Sequence, residues 1–117
     1  MTIKVKLDEG AYMPDRAHGP DAGADLFSPV EAIVYPGCNT TINTGVHMAI
    51  PFGYAGEIMS KSGPLRYSGI FTTGLVDSGY TGPIGVTLHN SGNDPYMIKK
   101  GQKIAQIVIK KSGAVRF

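Results

Sequence analysis

The stretch GLVDSGYTGPIGV, residues 74–86, decides how this chain is interpreted. It predicts a β-hairpin, because residues typical of strands flank a glycine-rich turn region. The hairpin contains one carboxylate, Asp77, and one aromatic side chain, Tyr80. A carboxylate on a strand that faces the core is costly unless it is paired, since desolvation disfavours its charged form. We therefore expect the chemistry of the protein to be carried by this hairpin.

Turn residues also recur outside this stretch. The whole chain has 117 residues, with 16 glycines, 8 prolines and 42% hydrophobic residues. This mixture is typical of short strands joined by tight turns. Strands are expected at 2–7, 26–28, 32–35, 40–50, 54–60, 71–76, 84–90, 95–98 and 104–109. The only helix expected is one turn after Ser62, with Pro64 at its first position. The sequence predicts a single all-β domain over residues 1–117, a barrel or sandwich whose exposed edges favour oligomer formation.

The charge balance excludes some classes of partner. A formal net charge of +2 gives no strong field for nucleic acid or a membrane, although a slight basic excess suits a polyanionic small molecule. The one cysteine, Cys38, excludes an internal disulfide. Neither a signal peptide nor an apolar run of membrane length is recognised, so the expected location is the cytoplasm.

Two short segments offer candidate ligands for an anion or a metal ion. Asp25, in PDAGADL at 20–26, is either an oxygen ligand of a divalent cation or a residue that stabilises a turn, and the segment alone favours the turn. The segment SKSGP at 60–64 is either an anion-binding loop at a helix start or an N-capping serine beside a solvated lysine. Both interpretations of the second segment stay open.

The hairpin and the last strand supply further candidates. Asp77 can act as a general base that polarises a water, and Tyr80 can offer its face to a ring or sugar, the alternative being a turn aspartate beside a core tyrosine. Gln106 interrupts an apolar strand, either as a ligand contact or as part of its outward face. The histidines show no spacing typical of a metal site, and His47 and His89 are expected to be partly buried imidazoles on strands.

Taken in order, four segments resemble the motifs of the trimeric dUTP pyrophosphatase (dUTPase) family. They are AGADL at 22–26, SKSG at 60–63, the stretch at 74–86 and GQKIAQ at 101–106. They span nearly the whole chain, and the third is the most specific. The resemblance implies a distorted jelly-roll β-barrel of the β-clip type. It also implies a homotrimer with active sites shared between subunits.

The resemblance assigns the nucleoside end of the site to the hairpin. Asp77 would activate the water that attacks the α-phosphorus of dUTP, giving dUMP and pyrophosphate. Tyr80 would pack under the deoxyribose and exclude a 2′-hydroxyl. Backbone groups around Leu75, Val76 and Gly85 would recognise the uracil edge.

The other three motifs would serve the phosphates. Lys61, Ser62, Gly63 and Gln106 would hold the phosphates of a neighbouring subunit's nucleotide. Asp25 would bind Mg²⁺ through a water molecule, the metal being chelated by the triphosphate.

The chain departs from the family pattern in several places. Lys61 stands where the family usually has arginine, so the charge is kept but the two-pronged grip is lost. Gly79 replaces a second carboxylate, and Phe71 stands near a position that is often polar. The chain is also expected to lack the usual glycine-rich C-terminal arm, because Arg116 and Phe117 have no such surroundings. An arm that closes over the nucleotide can dominate turnover, so we expect slow hydrolysis.

Two rival functions follow from these departures. A dUTPase-like nucleotide-binding regulatory protein with little or no turnover is favoured by Lys61 and the missing arm, and opposed by the pair Asp77 and Tyr80. A dCTP deaminase is less consistent with the sequence, because no carboxylate beside the second motif is placed to act on a cytosine ring.

Overall fold

The structure, a computed structural model, describes residues 1–16, 19, 23–113 and 115–117. These residues include eleven strands and one short helix. The elements are β1 Val5–Leu7, β2 Ala24–Phe27, β3 Ala32–Val34, β4 Asn39–Asn43, β5 Val46–Met48, β6 Tyr54–Met59, α1 Ser62–Ser68, β7 Ile70–Phe71, β8 Thr73–Asp77, β9 Gly85–Asn90, β10 Tyr96–Ile98 and β11 Lys103–Lys111. The all-β class is confirmed. The first motif begins at Ala22, which lies outside the described residues together with the predicted turn residue Asp21.

The ladders join the strands into four sheets within the described residues. A four-stranded sheet has the order β2-β11-β6-β8 and a three-stranded sheet the order β4-β9-β7, while β1 pairs with β5 and β3 with β10. These ladders do not form a single closed sheet, so the barrel that the resemblance implied is not a closed one. All four sheets contribute to one core, which consists of Leu26, Val34, Ile42, Val46, Met48, Ile50, Ile58, Ile70, Val76, Ile84, Val86, Leu88, Ile98, Ile104, Ala105 and Ile107.

Two predicted strands are each divided by a buried threonine. The strand at 40–50 breaks at Thr44, whose hydroxyl donates to the carbonyl of Ile84 at 2.7 Å. The strand at 71–76 breaks at Thr72, whose N–H donates to Ser60 Oγ at 2.9 Å and whose carbonyl accepts from the same hydroxyl at 3.1 Å. In both places side-chain hydrogen bonds replace ladder bonds, which composition and alternation do not reveal.

The predicted hairpin at 74–86 is not a two-stranded ladder. β8 pairs with β6, whereas β9 pairs with β4 and β7, and no ladder joins β8 to β9 among the described residues. The divergence has a local cause at Ile84, which is 1% exposed. Its N–H donates to the carbonyl of Val46 at 2.8 Å and its carbonyl accepts from the N–H of Thr44 at 3.0 Å. These bonds fix the start of β9 on the β4–β5 side, away from β8.

The short helix predicted after Ser62 is confirmed, but its start differs from the expectation. Lys61 is the N-cap residue and makes no side-chain capping bond, so Ser62 is the first helical residue and Pro64 the third. The helix ends at Ser68, and its C-cap residue Gly69 has a φ of 70° and donates its N–H to the carbonyl of Leu65. Within the described residues no helix is long and apolar enough to cross a membrane. The cytoplasmic location stays a prediction.

Val34 and Val30 test which side chains hold the fold. Val34 is fully buried in the core, whereas Val30 is 50% exposed. Val34→Ala is expected to lower the free energy of unfolding by about 1–3 kcal/mol, since it removes buried methyl groups and leaves a cavity. Val30→Ala, the matched control, is expected to change it by less than about 0.5 kcal/mol. Urea denaturation measures both values, and equal losses would contradict this placement of the core.

Candidate functional site

A cavity of about 220 Å³ lies where β8 and β9 diverge. It brings together the predicted residues Leu75, Val76, Asp77, Tyr80 and Gly85, with Ile58, Gly74 and Ile84 completing its wall. β8 is the outer strand of its sheet, so one edge of its backbone is not used by that sheet's ladder. Backbone donors and acceptors that are free of a ladder can bind the edge of a planar polar ligand.

Two glycines on the cavity wall are not required by the fold itself. Both have ordinary backbone conformations. A Cβ on Gly74 would meet Ile58 at 3.4 Å, and one on Gly85 would meet the Thr41 methyl group at 3.6 Å, which are tolerable contacts. Local packing therefore tolerates a side chain at these two positions, although both residues line the cavity.

Asp77 is the last residue of β8, and its side chain is exposed at the edge of this cavity. The sequence argument placed it on a strand facing the core, and that was wrong. The strand alternates, so that Val76 is buried while Leu75 and Asp77 point outward. The carboxylate is thus hydrated in the single chain, and a water molecule can reach it.

Tyr80 is fixed by the turn that follows Asp77. Its hydroxyl donates to the carbonyl of Pro83 at 2.8 Å, and its N–H donates to the carbonyl of Asp77 at 3.2 Å. A Cβ on Gly82 would lie 2.6 Å from the Tyr80 hydroxyl oxygen, so only glycine permits this fold-back. Tyr80 as a whole is 46% exposed, and its hydroxyl proton is already donated to Pro83.

A second cluster forms around the carboxylate of Asp25, on β2. This residue is 4% exposed, so the interpretation of a simple turn aspartate is wrong. Lys61 Nζ lies 2.5 Å from its Oδ1, and Lys103 Nζ lies 3.3 Å from its Oδ2. Lys61 is therefore ion-paired and not simply solvated. The buried carboxylate is satisfied by two cations from different parts of the chain.

Gln106 belongs to the same cluster. It lies opposite Asp25 on β2 and opposite Met59 on β6, and its side-chain amide donates to the carbonyl of Ser60 at 3.0 Å. A Cβ on Gly23 would lie 2.8 Å from its amide oxygen, so Gly23 leaves the room that this amide occupies. The predicted residues Asp25, Lys61 and Gln106 are thus brought together.

Ser62 and Gly63 begin α1 directly after Lys61. The first N–H groups of a helix have no partner within the helix. A Cβ on Gly63 would meet no described atom within 4 Å, so packing does not require glycine there. The backbone at this point is open to a ligand that approaches closely.

The two clusters are separate within one chain. Asp25 and Asp77 lie on the outermost strands of the four-stranded sheet. Gln106 pairs with Met59, which pairs with Thr73, and Asp77 lies four residues further along β8. From strand spacing and rise, this separates Asp25 from Asp77 by roughly 14 Å across the sheet and about 13 Å along it.

His47 connects the Tyr80 turn to the body of the protein. In the protonated ring, Nδ1–H donates to the carbonyl of Thr81 at 2.7 Å and Nε2–H donates to Asp8 Oδ1 at 2.9 Å. The Thr81 carbonyl and the Asp8 carboxylate raise the pKa of His47 above 6.5, against desolvation and the charge of Lys6. The expectation of a satisfied imidazole on a strand is confirmed.

Sequence reasoning missed Lys103 and the role of His47. Lys103 stands at the start of β11, where a β-bulge shifts the register, and no residue pattern announces such a shift. His47 gains its partners from residues 39 positions before it and 34 after it. Only the folded chain shows these contacts.

The fold and the two clusters define an all-β protein with a small recess for a planar ligand and a separate cation-rich cluster suited to an anion. A family model described as dUTPase matches residues 9–116, so the chain belongs to the dUTPase family.

Curated relatives agree with this assignment. The deoxyuridine 5′-triphosphate nucleotidohydrolase of Clostridium tetani is 42% identical over 113 residues, covering 93% of this chain and 78% of the relative. The protein of the same name from Syntrophotalea carbinolica is 37% identical over 115 residues, covering 93% of this chain and 78% of that relative.

Solved structures agree as well. A mutant dUTPase from phage phi11 of S. aureus, described with a structural Mg(II) ion, has a TM-score of 0.93 at 30% identity and covers 100% of this chain and 95% of its own. The Staphylococcus bacteriophage 80alpha dUTPase with dUpNHpp has a TM-score of 0.90 at 30% identity and covers 99% of this chain and 86% of its own.

The protonation of His47 gives a pH-dependent prediction. Because its folded-state pKa is raised, its contribution to stability is fully present below about pH 6.5 and is lost as the pH rises through the folded-state pKa. NMR titration of the ring is expected to give a pKa above 6.5, and Asp8→Asn is expected to lower it. Glu9→Gln, which changes a neighbouring exposed carboxylate, is the control. A pKa that Asp8→Asn leaves unchanged would contradict the assigned contact.

Proposed function

We propose that this protein hydrolyses dUTP to dUMP and pyrophosphate by attack of water on the α-phosphorus. The observation that carries the proposal is the cavity between β8 and β9, with Asp77 at its edge and Tyr80 on its wall, in a chain of the dUTPase family. A general base must lie within hydrogen-bond reach of the water it activates. Asp77, exposed beside the cavity, is available to such a water.

Recognition of the nucleoside is proposed to come from backbone and ring surfaces. Backbone groups of Leu75, Val76 and Gly85 would bind the uracil edge, which favours uracil over cytosine because buried polar groups left unpaired are costly. Tyr80 would pack under the deoxyribose. Since its hydroxyl proton is donated to Pro83, the ring would offer the sugar an apolar face, which disfavours a ribose 2′-hydroxyl.

The phosphates are proposed to bind at the second cluster. Lys61 supplies charge, Ser62 and Gly63 supply backbone N–H groups and a hydroxyl, and Gln106 supplies amide hydrogen bonds. The open space at Gly63 supports this role, since a phosphate oxygen can reach the backbone there.

Mg²⁺ is the proposed cofactor. In the described part of the chain no group of three or more His, Cys, Asp or Glu side chains could hold a metal ion. Mg²⁺ often keeps several waters and is held by one or two carboxylates together with substrate phosphates. Asp25, already paired with two lysines, fits contact through water to a metal held mainly by the triphosphate. When bound, Mg²⁺ would neutralise charge on the phosphates.

The separation of the two clusters supports a homotrimer with shared sites. The base and the phosphate ligands must act on one triphosphate, within a few ångströms of the α-phosphorus. Asp77 and Asp25, on opposite outer strands, are too far apart for this within a single chain. We propose that Asp77 and Tyr80 of one subunit act on a nucleotide whose phosphates are held by Lys61 and Gln106 of a neighbour.

Asp77→Asn tests the proposed base. It is expected to lower pyrophosphate release from dUTP with Mg²⁺ by about 100-fold or more, because the amide cannot accept the proton of the water. Binding of a non-hydrolysable dUTP analogue is expected to persist. Asp94→Asn, an exposed aspartate on another loop, is the matched control and is expected to keep full activity.

The wild-type protein is assayed beside these variants with dUTP, dCTP, dTTP and UTP. Pyrophosphate from dUTP alone is the expected result. Tight binding of dUTP without product would overturn hydrolysis in favour of the regulatory protein, and deoxyuridine products from dCTP would indicate a deaminase.

Gly85→Ala tests whether the cavity binds the base. Among the described residues, the nearest atom to the added methyl group is in Thr41, at 3.6 Å, so the melting temperature is expected to stay within about 3 °C. Binding of deoxyuridine, measured by calorimetry, is expected to weaken about tenfold or more, because Gly85 lines the cavity and the larger residue would crowd the proposed ligand. Unchanged binding in a folded variant would mean that the base binds elsewhere.

A further inference from the structure

Lys103 is the residue of the Asp25 cluster to which no motif assigns a task. Resting on the proposed function, we propose that Lys103 is a second phosphate-binding cation, held beside Lys61 by the shared carboxylate of Asp25. The two ammonium groups together grip the polyphosphate of the substrate.

A β-bulge directs Lys103 towards this cluster. In a regular strand, Lys103 and Gln106 would lie on opposite faces, because they are three residues apart. The pairing of β11 with β2 shifts register between Lys103 and Ala105, and the consecutive residues Ile104 and Ala105 are both buried. The extra residue reverses the alternation, so that Lys103 and Gln106 both reach the side of Asp25. Bulges commonly re-aim a side chain in this way.

The ion pairs leave both cations accessible. The Asp25 side chain is 6% exposed, whereas those of Lys61 and Lys103 are 28% and 48% exposed. The carboxylate thus lies beneath two ammonium groups that reach solvent. One negative and two positive charges leave a net positive charge at the surface, as a polyanion requires.

The pair of Lys61 and Lys103 compensates for a limit of lysine as a phosphate ligand. An ammonium is a point charge, whereas a guanidinium binds two phosphate oxygens with one planar fork. Two ammonium groups fixed by the two oxygens of one carboxylate supply two separate donors at a set spacing. Lys103 therefore provides a second donor that Lys61 alone lacks.

The adjacent groups make a polyphosphate the fitting ligand. Gln106 is fixed to the Ser60 carbonyl directly before Lys61, and Gly63 leaves open space directly after it. Cations, an amide and open backbone converge on one surface. A chain of phosphates can contact several of them at once.

The experiment measures binding by calorimetry with three probes: tripolyphosphate, a non-hydrolysable dUTP analogue and deoxyuridine, each with and without Mg²⁺. Lys103→Met and Lys61→Met are each expected to weaken the two phosphate probes about tenfold or more, since each removes a charged hydrogen bond. Deoxyuridine, which has no phosphate, is expected to bind as it does to the wild type. Lys103→Arg is expected to restore phosphate binding.

Lys110→Met is the matched control. Lys110 also lies on β11 and is also ion-paired, to Glu57 at 2.6 Å. The Lys110→Met variant is expected to bind all three probes with unchanged affinity. Melting temperatures of all variants show whether a loss reflects unfolding, and Lys103→Gln serves in place of Lys103→Met if that variant does not fold.

Two results would overturn the inference. Wild-type affinity of folded Lys103→Met for both phosphate probes would make Lys103 only an ion-pair partner of Asp25. Equal weakening of deoxyuridine and tripolyphosphate would indicate a general distortion. If the wild type releases no pyrophosphate from dUTP, the proposed hydrolysis is wrong, and the tripolyphosphate titration still decides whether Lys103 binds phosphate.

Discussion

The pairing of β11 with β2 on one side and β6 on the other is the constraint on which the cation cluster depends. It sets Gln106 opposite both Asp25 and Met59, so that segments far apart in sequence meet at one end of the sheet. The buried carboxylate would be costly alone, but the same register brings Lys61 and Lys103 to it. Packing and electrostatics thus select the same arrangement.

The outer strand of that sheet, β8, carries the other half of the proposed site. β8 pairs with β6, while β9 is held to the second sheet through the hydrogen bonds of Ile84. The cavity is the space left between β8 and β9. A closed hairpin ladder would have used the backbone groups that we propose for base recognition. In the function proposed above, this divergence would link the architecture of the two sheets to the selection of a nucleobase.

Much of this could be read from the sequence, and the failures have physical causes. The positions of most strands, the helix after Ser62 and the grouping of Lys61 with Asp25 and Gln106 follow from local patterns and family motifs. The exposure of Asp77 and the divergence of β8 from β9 depend on long-range hydrogen bonds. The bulge before Ala105, which directs Lys103, also depends on pairing with a distant strand.

The most direct test of the account is complementation between two impaired variants, assayed at dUTP concentrations well below saturation. Asp77→Asn and Lys61→Met are unfolded together, refolded as a mixture and checked for mixed trimers by native mass spectrometry. If sites are shared between subunits, about a quarter of the sites combine an intact Asp77 with an intact Lys61, and dUTP hydrolysis returns to roughly that fraction of wild type. Mixed trimers whose dUTP hydrolysis stays at the average of the two variants assayed separately would contradict the account.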